Sequence, residues 1–197
     1  GMGYIKMRLI NQYIIFLSKE RAVVYYNISA NTITRRVESA DKVAFSDFAV
    51  LHGTSKELLV AGFDGFLHKT GAGGELAQVL QLDGFVQSME SLRIPNEEKT
   101  LVVLGYDNGR CALVVYDQKS DTCVLSGQYL EGNKHGIGKI LFDYSAQLFY
   151  IVTDESEVFQ MRLRKGRDGF VMVQSAELSA LNDEIMDVKF IDGENMI

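Results

Sequence analysis

The chain has 197 residues, 47% hydrophobic and 23% charged, a composition that suits a core-forming globular domain and excludes a disordered or fibrous chain. Its net charge of −6 gives no global attraction to phosphate backbones or anionic membranes. The longest apolar runs, such as residues 101–104 and 149–152, fall far short of the roughly 20 residues of a membrane helix.

The N-terminal Gly1-Met2 reads as a remnant of cloning ahead of the native start, and the N-terminal segment after it lacks the basic, apolar and small-residue regions of a secretory signal. Period-two alternation bounded by turn residues then predicts strands at residues 4–9, 13–17, 22–28 and 32–37. A second set falls at 43–51, 58–62, 66–69 and 76–82, with a Phe63-Asp64-Gly65 turn and a glycine-rich turn between its members. A third falls at 85–92, 101–105, 110–116 and 122–126. There Pro95-Asn96 and Asn108-Gly109 supply turn signals, the latter tolerating positive φ. A fourth falls at 137–144, 149–153, 158–163 and 170–175, and a fifth opens at 185–190. No window sustains helical spacing; the best helical alternative is a single turn over 176–181.

The apolar runs at 13–17, 58–61, 101–104 and 149–152 recur at offsets of roughly 43 to 48 residues, the period of a four-stranded propeller blade. The expected fold is therefore all-β: a β-propeller of four-stranded antiparallel blades at about 4–38, 43–82, 85–128 and 137–175, with a partial one at 185–197, in a single region over 3–197.

Residues 58–69 and 101–117 carry an apolar strand, small residues, an Asp-Gly-type turn, an alternating strand and then an aromatic–acid pair. This order resembles the WD40-repeat family. Tyr116-Asp117 stands where that family has Trp-Asp, and Tyr26-Asn27 is a weaker version. The chain departs from the family in having no Trp and no clean Gly-His pair, Gly132 and His135 coming closest. The family's buried network of His, turn Asp and Trp is thus missing from most units, and packing must hold their register. Family members commonly close seven blades, so this chain is not expected to seal such a ring alone. A longer protein, completion by another polypeptide and a compact four-bladed ring all stay open.

His52, His68 and His135 follow no metal-ligand spacing, and Cys111 and Cys123, twelve positions apart, read as reduced thiols of an intracellular protein. No catalytic constellation, metal or cofactor is expected. The glycines of residues 71–74 suit a hairpin turn, since a phosphate loop would need a helix after it. Asp64, Asp107 and Asp154 recur at what read as corresponding turns, which favours turn chemistry. The one dense basic stretch is Arg162, Arg164, Lys165 and Arg167, a candidate patch for RNA or an acidic partner.

The leading expectation is a non-catalytic scaffold or adaptor subunit of a multiprotein complex, cytoplasmic or nuclear, with protein partners that include a chain completing the propeller, and no membrane. The WD40 resemblance implies that the second-to-third-strand turns share one face with the connections between blades. That makes Lys19, Glu20, Arg21, Phe63, Asp64, Tyr106, Asp107, Lys134 and His135 candidate contacts. Phe63 and Tyr106 would be aromatic anchors if exposed, or would pack within their turns. The rivals are a propeller enzyme or small-ligand binder with a central-channel site, and an RNA-associated assembly subunit.

Overall fold

Apolar alternation and turn residues place sixteen strands along the chain: β1 Tyr4–Ile10, β2 Tyr13–Ser18, β3 Ala22–Asn27, β4 Thr32–Glu38, β5 Phe45–Val50, β6 Leu58–Gly62, β7 Phe66–Thr70 and β8 Leu76–Gln81. They continue with β9 Val86–Arg93, β10 Lys99–Tyr106, β11 Cys111–Asp117, β12 Thr122–Tyr129, β13 Ile137–Asp143, β14 Leu148–Thr153, β15 Val158–Lys165 and β16 Phe170–Leu178. This computed structural model describes residues 4–39, 41–53, 57–94, 96–167 and 169–178. Gly1-Met2, Pro95 and the fifth unit at 185–190 lie outside them. Among the described residues there is no helix. The strand read at 170–175 runs on to Leu178, and residues 176–178 do not take the helical alternative because they pair with β15, as in Phe159↔Glu177 and Val158↔Leu178.

The strands form four four-stranded antiparallel sheets, each from four consecutive strands: sheet 1 is β1–β4, sheet 2 β5–β8, sheet 3 β9–β12 and sheet 4 β13–β16. All four share one register. Met7↔Phe16, Phe48↔Val60, Met89↔Leu104 and Ile140↔Ile151 are equivalent pairs of first and second strands. Each first strand carries one extra residue near its start, between Tyr4 and Lys6, Phe45 and Phe48, Val86 and Ser88, and Ile137 and Lys139. Each last strand carries another, Thr34, Val79, Ser126 and Ser175 in turn. Such bulges re-aim side chains and strengthen local twist.

The turns between second and third strands are also alike. The N–H groups of Arg21, Gly65, Gly109 and Ser156 donate to the carbonyls of Ser18, Gly62, Tyr106 and Thr153, and all four donors have positive φ, from 64° to 85°. This is a type I turn closed by a left-handed residue. Glycine suits that position in sheets 2 and 3.

Three apolar layers lie between successive sheets. Ile15, Leu17 and Tyr25 of sheet 1 meet Phe48, Leu58 and Val60; Leu59 and Ala61 of sheet 2 meet Met89, Val102 and Leu104; Leu101 and Val103 of sheet 3 meet Ile140, Phe149 and Ile151. At about 1.5–3 kcal/mol per buried aliphatic or Phe side chain, these layers hold the sheets in series. The first strands adjoin in order, β1 to β5, β5 to β9 and β9 to β13. At Gly105 the approach is too close for a side chain, since a Cβ there would come within 2.4 Å of the Ile137 side chain.

Candidate functional site

The second-to-third-strand turns and the connections between sheets meet at one end of the array. Phe63 N–H donates to Ala44 O, Asp107 N–H to Phe85 O and Asp154 N–H to Gly136 O, each acceptor lying immediately before a first strand. These bonds correct the turn correspondence expected from sequence. Phe63, Asp107 and Asp154 are equivalent, and Asp64 matches Asn108, both of whose side-chain oxygens accept the N–H two residues on, at 3.3 and 3.1 Å. Asp and Asn suit neighbouring turn positions for similar reasons, so letters alone allowed the shift of one.

At this end Phe63 is 59% exposed and held by Phe85, ring centroids 4.7 Å apart. Tyr106 is not an exposed anchor: it is the last residue of β10, 3% exposed and packed in the layer between sheets 2 and 3. Burial, with the nearby Asp83 carboxylate, pushes its phenol up to about 12. Asp107, Lys134 and His135 are exposed. Asn133 ties the last two to the β10–β11 turn, its Nδ2 donating to Gly109 O at 3.1 Å and His135 O at 3.0 Å. Lys19, Glu20 and Arg21 are exposed at the β2–β3 turn, where Arg36 pairs with Glu20 at 2.8 Å. Asp64 meets His68 Nε2 at 2.9 Å. Burial works to raise its carboxyl, but the hydrogen bond and charge of His68 outweigh that and hold it below the usual carboxylate value.

The aromatic–acid pairs take a structural part. Tyr116 Oη donates to Asp121 Oδ1 at 2.7 Å and Tyr26 Oη to Asn31, in each case to the positive-φ residue five places on. Asp117 and Asn27 accept backbone N–H groups inside the same turns. Lys69 of sheet 2 reaches this turn of sheet 3, pairing with Asp121 and lying 5.2 Å over the Tyr116 ring. Burial lowers the Lys69 ammonium's affinity for its proton, yet its bonds to Asp121 and Tyr116 leave it raised overall.

The basic stretch does not form one patch. Met161 and Leu163 face sheet 3, so Arg162 and Arg164, alternating with them on β15, face away from it beside their cross-strand partners Val173 and Val171. Lys165 turns toward sheet 3, pairing with Glu97 and lying over Phe170. Arg167 lines the groove of about 500 Å³ on that side, with Lys165 and Val124.

Sequence reading missed a polar groove where the first strands converge. A cavity of about 410 Å³ is lined by Lys6 and Arg8 of β1, Asp47 of β5, Ser88 and Glu90 of β9 and Lys139 of β13. Asp47 is its centre: 1% exposed, it accepts Phe48 N–H at 2.8 Å and Met89 N–H at 2.9 Å, with Lys6 at 3.6 Å and Arg8 at 3.7 Å. Arg8 also forks onto Glu90 at 3.2 and 3.3 Å, donates to Met89 O and lies 5.4 Å over the Phe48 ring. Ser88 Oγ donates to Ile137 O at 2.7 Å, so its proton is engaged by a carbonyl and not by a base. The signal in the sequence was the polar residue just after the bulge of each first strand, Lys6, Asp47, Ser88 and Lys139; only the register shows that these correspond.

Among the described residues no group of three or more His, Cys, Asp or Glu could hold a metal ion, and no helix is long and apolar enough to cross a membrane. No family model matches the chain, and no curated protein matches it in sequence.

Proposed function

We propose that the four sheets are β-propeller blades of the WD40-like kind and that the chain works as a non-catalytic protein–protein interaction scaffold or adaptor within an intracellular complex. One observation carries this reading: the turns and connections of successive sheets converge at one end, where the aromatic Phe63 stays exposed while pinned by Phe85. An exposed aromatic on a rigid turn anchors a partner at low entropic cost. Asp107 in the β10–β11 turn, with Lys134 and His135 tied to that turn through Asn133 and Gly109, offers charge of both signs at the same end. The equal register of the sheets and the in-order contact of their first strands support the blade assignment.

Co-purification from the native source followed by mass identification tests the reading. Stoichiometric protein partners that are lost from the Phe63→Ala variant are expected. Recovery as a free chain with turnover on a small-molecule panel would overturn it. The polar groove favours, as a second reading, a small charged ligand held between Lys6, Arg8 and Lys139. Its internal pairing of Arg8 with Glu90 and Asp47 argues for a structural part first. The RNA reading loses support because Arg162 and Arg164 face away from Lys165 and Arg167.

A further inference from the structure

Where sheet 2 meets sheet 3, the turn residue Phe63 lies against Phe85, the residue before the next first strand. The equivalent residues where sheet 3 meets sheet 4 are Asp107 and Gly136. The extra residue of β13 is also a glycine, Gly138, where β9 has Gln87. The entry to sheet 4 thus gives up two side chains, and oxygen atoms gather in the space. A Cβ on Gly136 would lie 2.4 Å from Gln87 Oε1, 2.5 Å from Asp154 Oδ2 and 3.1 Å from Asp107 O. One on Gly138 would lie 2.7 Å from Asp154 Oδ1.

These oxygens are acceptors lacking donors. Gln87 Oε1 is buried with no hydrogen-bond partner, a state that protein interiors rarely tolerate. Among the described residues, the carboxylates of Asp107 and Asp154 have neither a hydrogen bond nor an ion pair. Gly136 is buried at the base, while Asp107, Gly138 and Asp154 are exposed, so the site opens at the end where the turns converge. Asp154, held by no bond of its side chain, can swing to admit a guest to Gln87 Oε1. A buried unmatched acceptor beside an unpaired carboxylate calls for a cation that carries N–H donors. A divalent metal gathers about six to eight oxygens, several of them charged, whereas a guanidinium or ammonium is matched by a carboxylate and two neutral oxygens.

We propose that this site receives a basic side chain, arginine or lysine, of the protein partner. Asp154 takes its charge, Gln87 Oε1 and Asp107 O accept its remaining N–H groups, and Phe63, one sheet back, meets an apolar part of the same partner. The inference rests on the scaffold reading and names the chemistry of the partner it requires.

The isotope-labelled full chain is titrated to about 10 mM with end-capped glycyl-arginyl-glycine and its lysyl and glutaminyl counterparts, and its amide NMR signals are followed, since one isolated contact binds at about the millimolar level. Saturable shifts centred on Asp107, Gly136, Gly138 and Asp154 are expected with a basic peptide and not with the glutaminyl one; the tighter of the two names the side chain. Asp154→Asn, Gly136→Ala and Gln87→Leu should each raise the dissociation constant about tenfold or more. The fold tolerates Gly136→Ala, because its φ is not positive and the new Cβ chiefly meets the ends of Gln87 and Asp154, which can swing aside. Absence of a shift with both basic peptides overturns the proposal, as does a shift that the glutaminyl peptide shares or that Asp154→Asn leaves unchanged. Equal or tighter binding in Gln87→Leu also overturns it, since the Gln87 amide would then serve Asp154 within the chain. Co-purification separates this proposal from the reading beneath it. Partners lost from Phe63→Ala but kept by Asp154→Asn and Gly136→Ala overturn the basic guest alone, whereas a wild-type chain recovered without any protein partner removes the scaffold reading and the guest with it.

Discussion

Replacing Asp47 with Ala removes the acceptor of two backbone donors from a site 1% exposed. Phe48 N–H, 2.8 Å away, and Met89 N–H, 2.9 Å away on the neighbouring sheet, would both lose their partner. Each orphaned buried donor costs about 1–3 kcal/mol. Lys6 and Arg8, at 3.6 and 3.7 Å and partly solvated, would lose about 0–1 kcal/mol of pairing each. The sum is about 2–8 kcal/mol, a large share of the roughly 5–15 kcal/mol by which domains are stable. For a chain of this size it lowers Tm by about 4–32 °C. Asp47→Asn keeps one oxygen acceptor but turns an NH2 toward two cations, and a smaller loss of about 1–3 kcal/mol, that of one orphaned donor, is expected. Urea denaturation followed by circular dichroism measures both. A loss below about 1 kcal/mol for Asp47→Ala, at unchanged denaturant slope, would refute the view that Asp47 ties β5 to β9.

Phe63→Ala should cost only about 1 kcal/mol, the scale of one aromatic pair, while abolishing partner capture; capture that persists would remove Phe63 from the recognition surface. Burial pushes the Cys111 and Cys123 thiols up to about 12, and Tyr106 likewise up to about 12. These groups hold their protons more tightly folded than unfolded, so stability is full below about pH 9 and falls as pH rises toward 12. Denaturation curves at pH 8, 10 and 11 check this, and a Tyr106→Phe chain should lose part of the decline above pH 10. Lys69→Met should destabilise by about 1–2 kcal/mol through the lost cation–π contact and Asp121 pair. A double-mutant cycle with Asp121→Ala should show coupling; additive losses would mean that the two side chains do not interact.

The strands were legible because alternation and turn chemistry are local: Asn108-Gly109 marks its hairpin without reference to anything distant. The strand read at 170–175 proved longer, because pairing with β15 carries β16 through residues 176–178 over their weak local preference. Tyr106 looked like a turn residue since it comes directly after Gly105, yet the strand runs one residue further and buries the ring. The polar groove was hidden for a different reason. Lys6, Asp47, Glu90 and Lys139 come from four sheets, and nothing in the spacing of one strand says that its polar residue meets those of the others.

The extra residue near the start of every first strand bears on how such a chain can vary. Side chains alternate with a period of two, so a single inserted residue exchanges the two faces of the strand beyond it. Upstream of the bulge the strand answers to the connection and the turn face; downstream it answers to the groove and the apolar layers. The bulge lets those two demands be met by one short strand. Removing Gln87, the extra residue of β9, would send Met89 toward the groove and Glu90 into the apolar layer, or force the break elsewhere. The turns at that end can therefore change residue by residue, whereas the length of β9 between Val86 and Ser88 cannot.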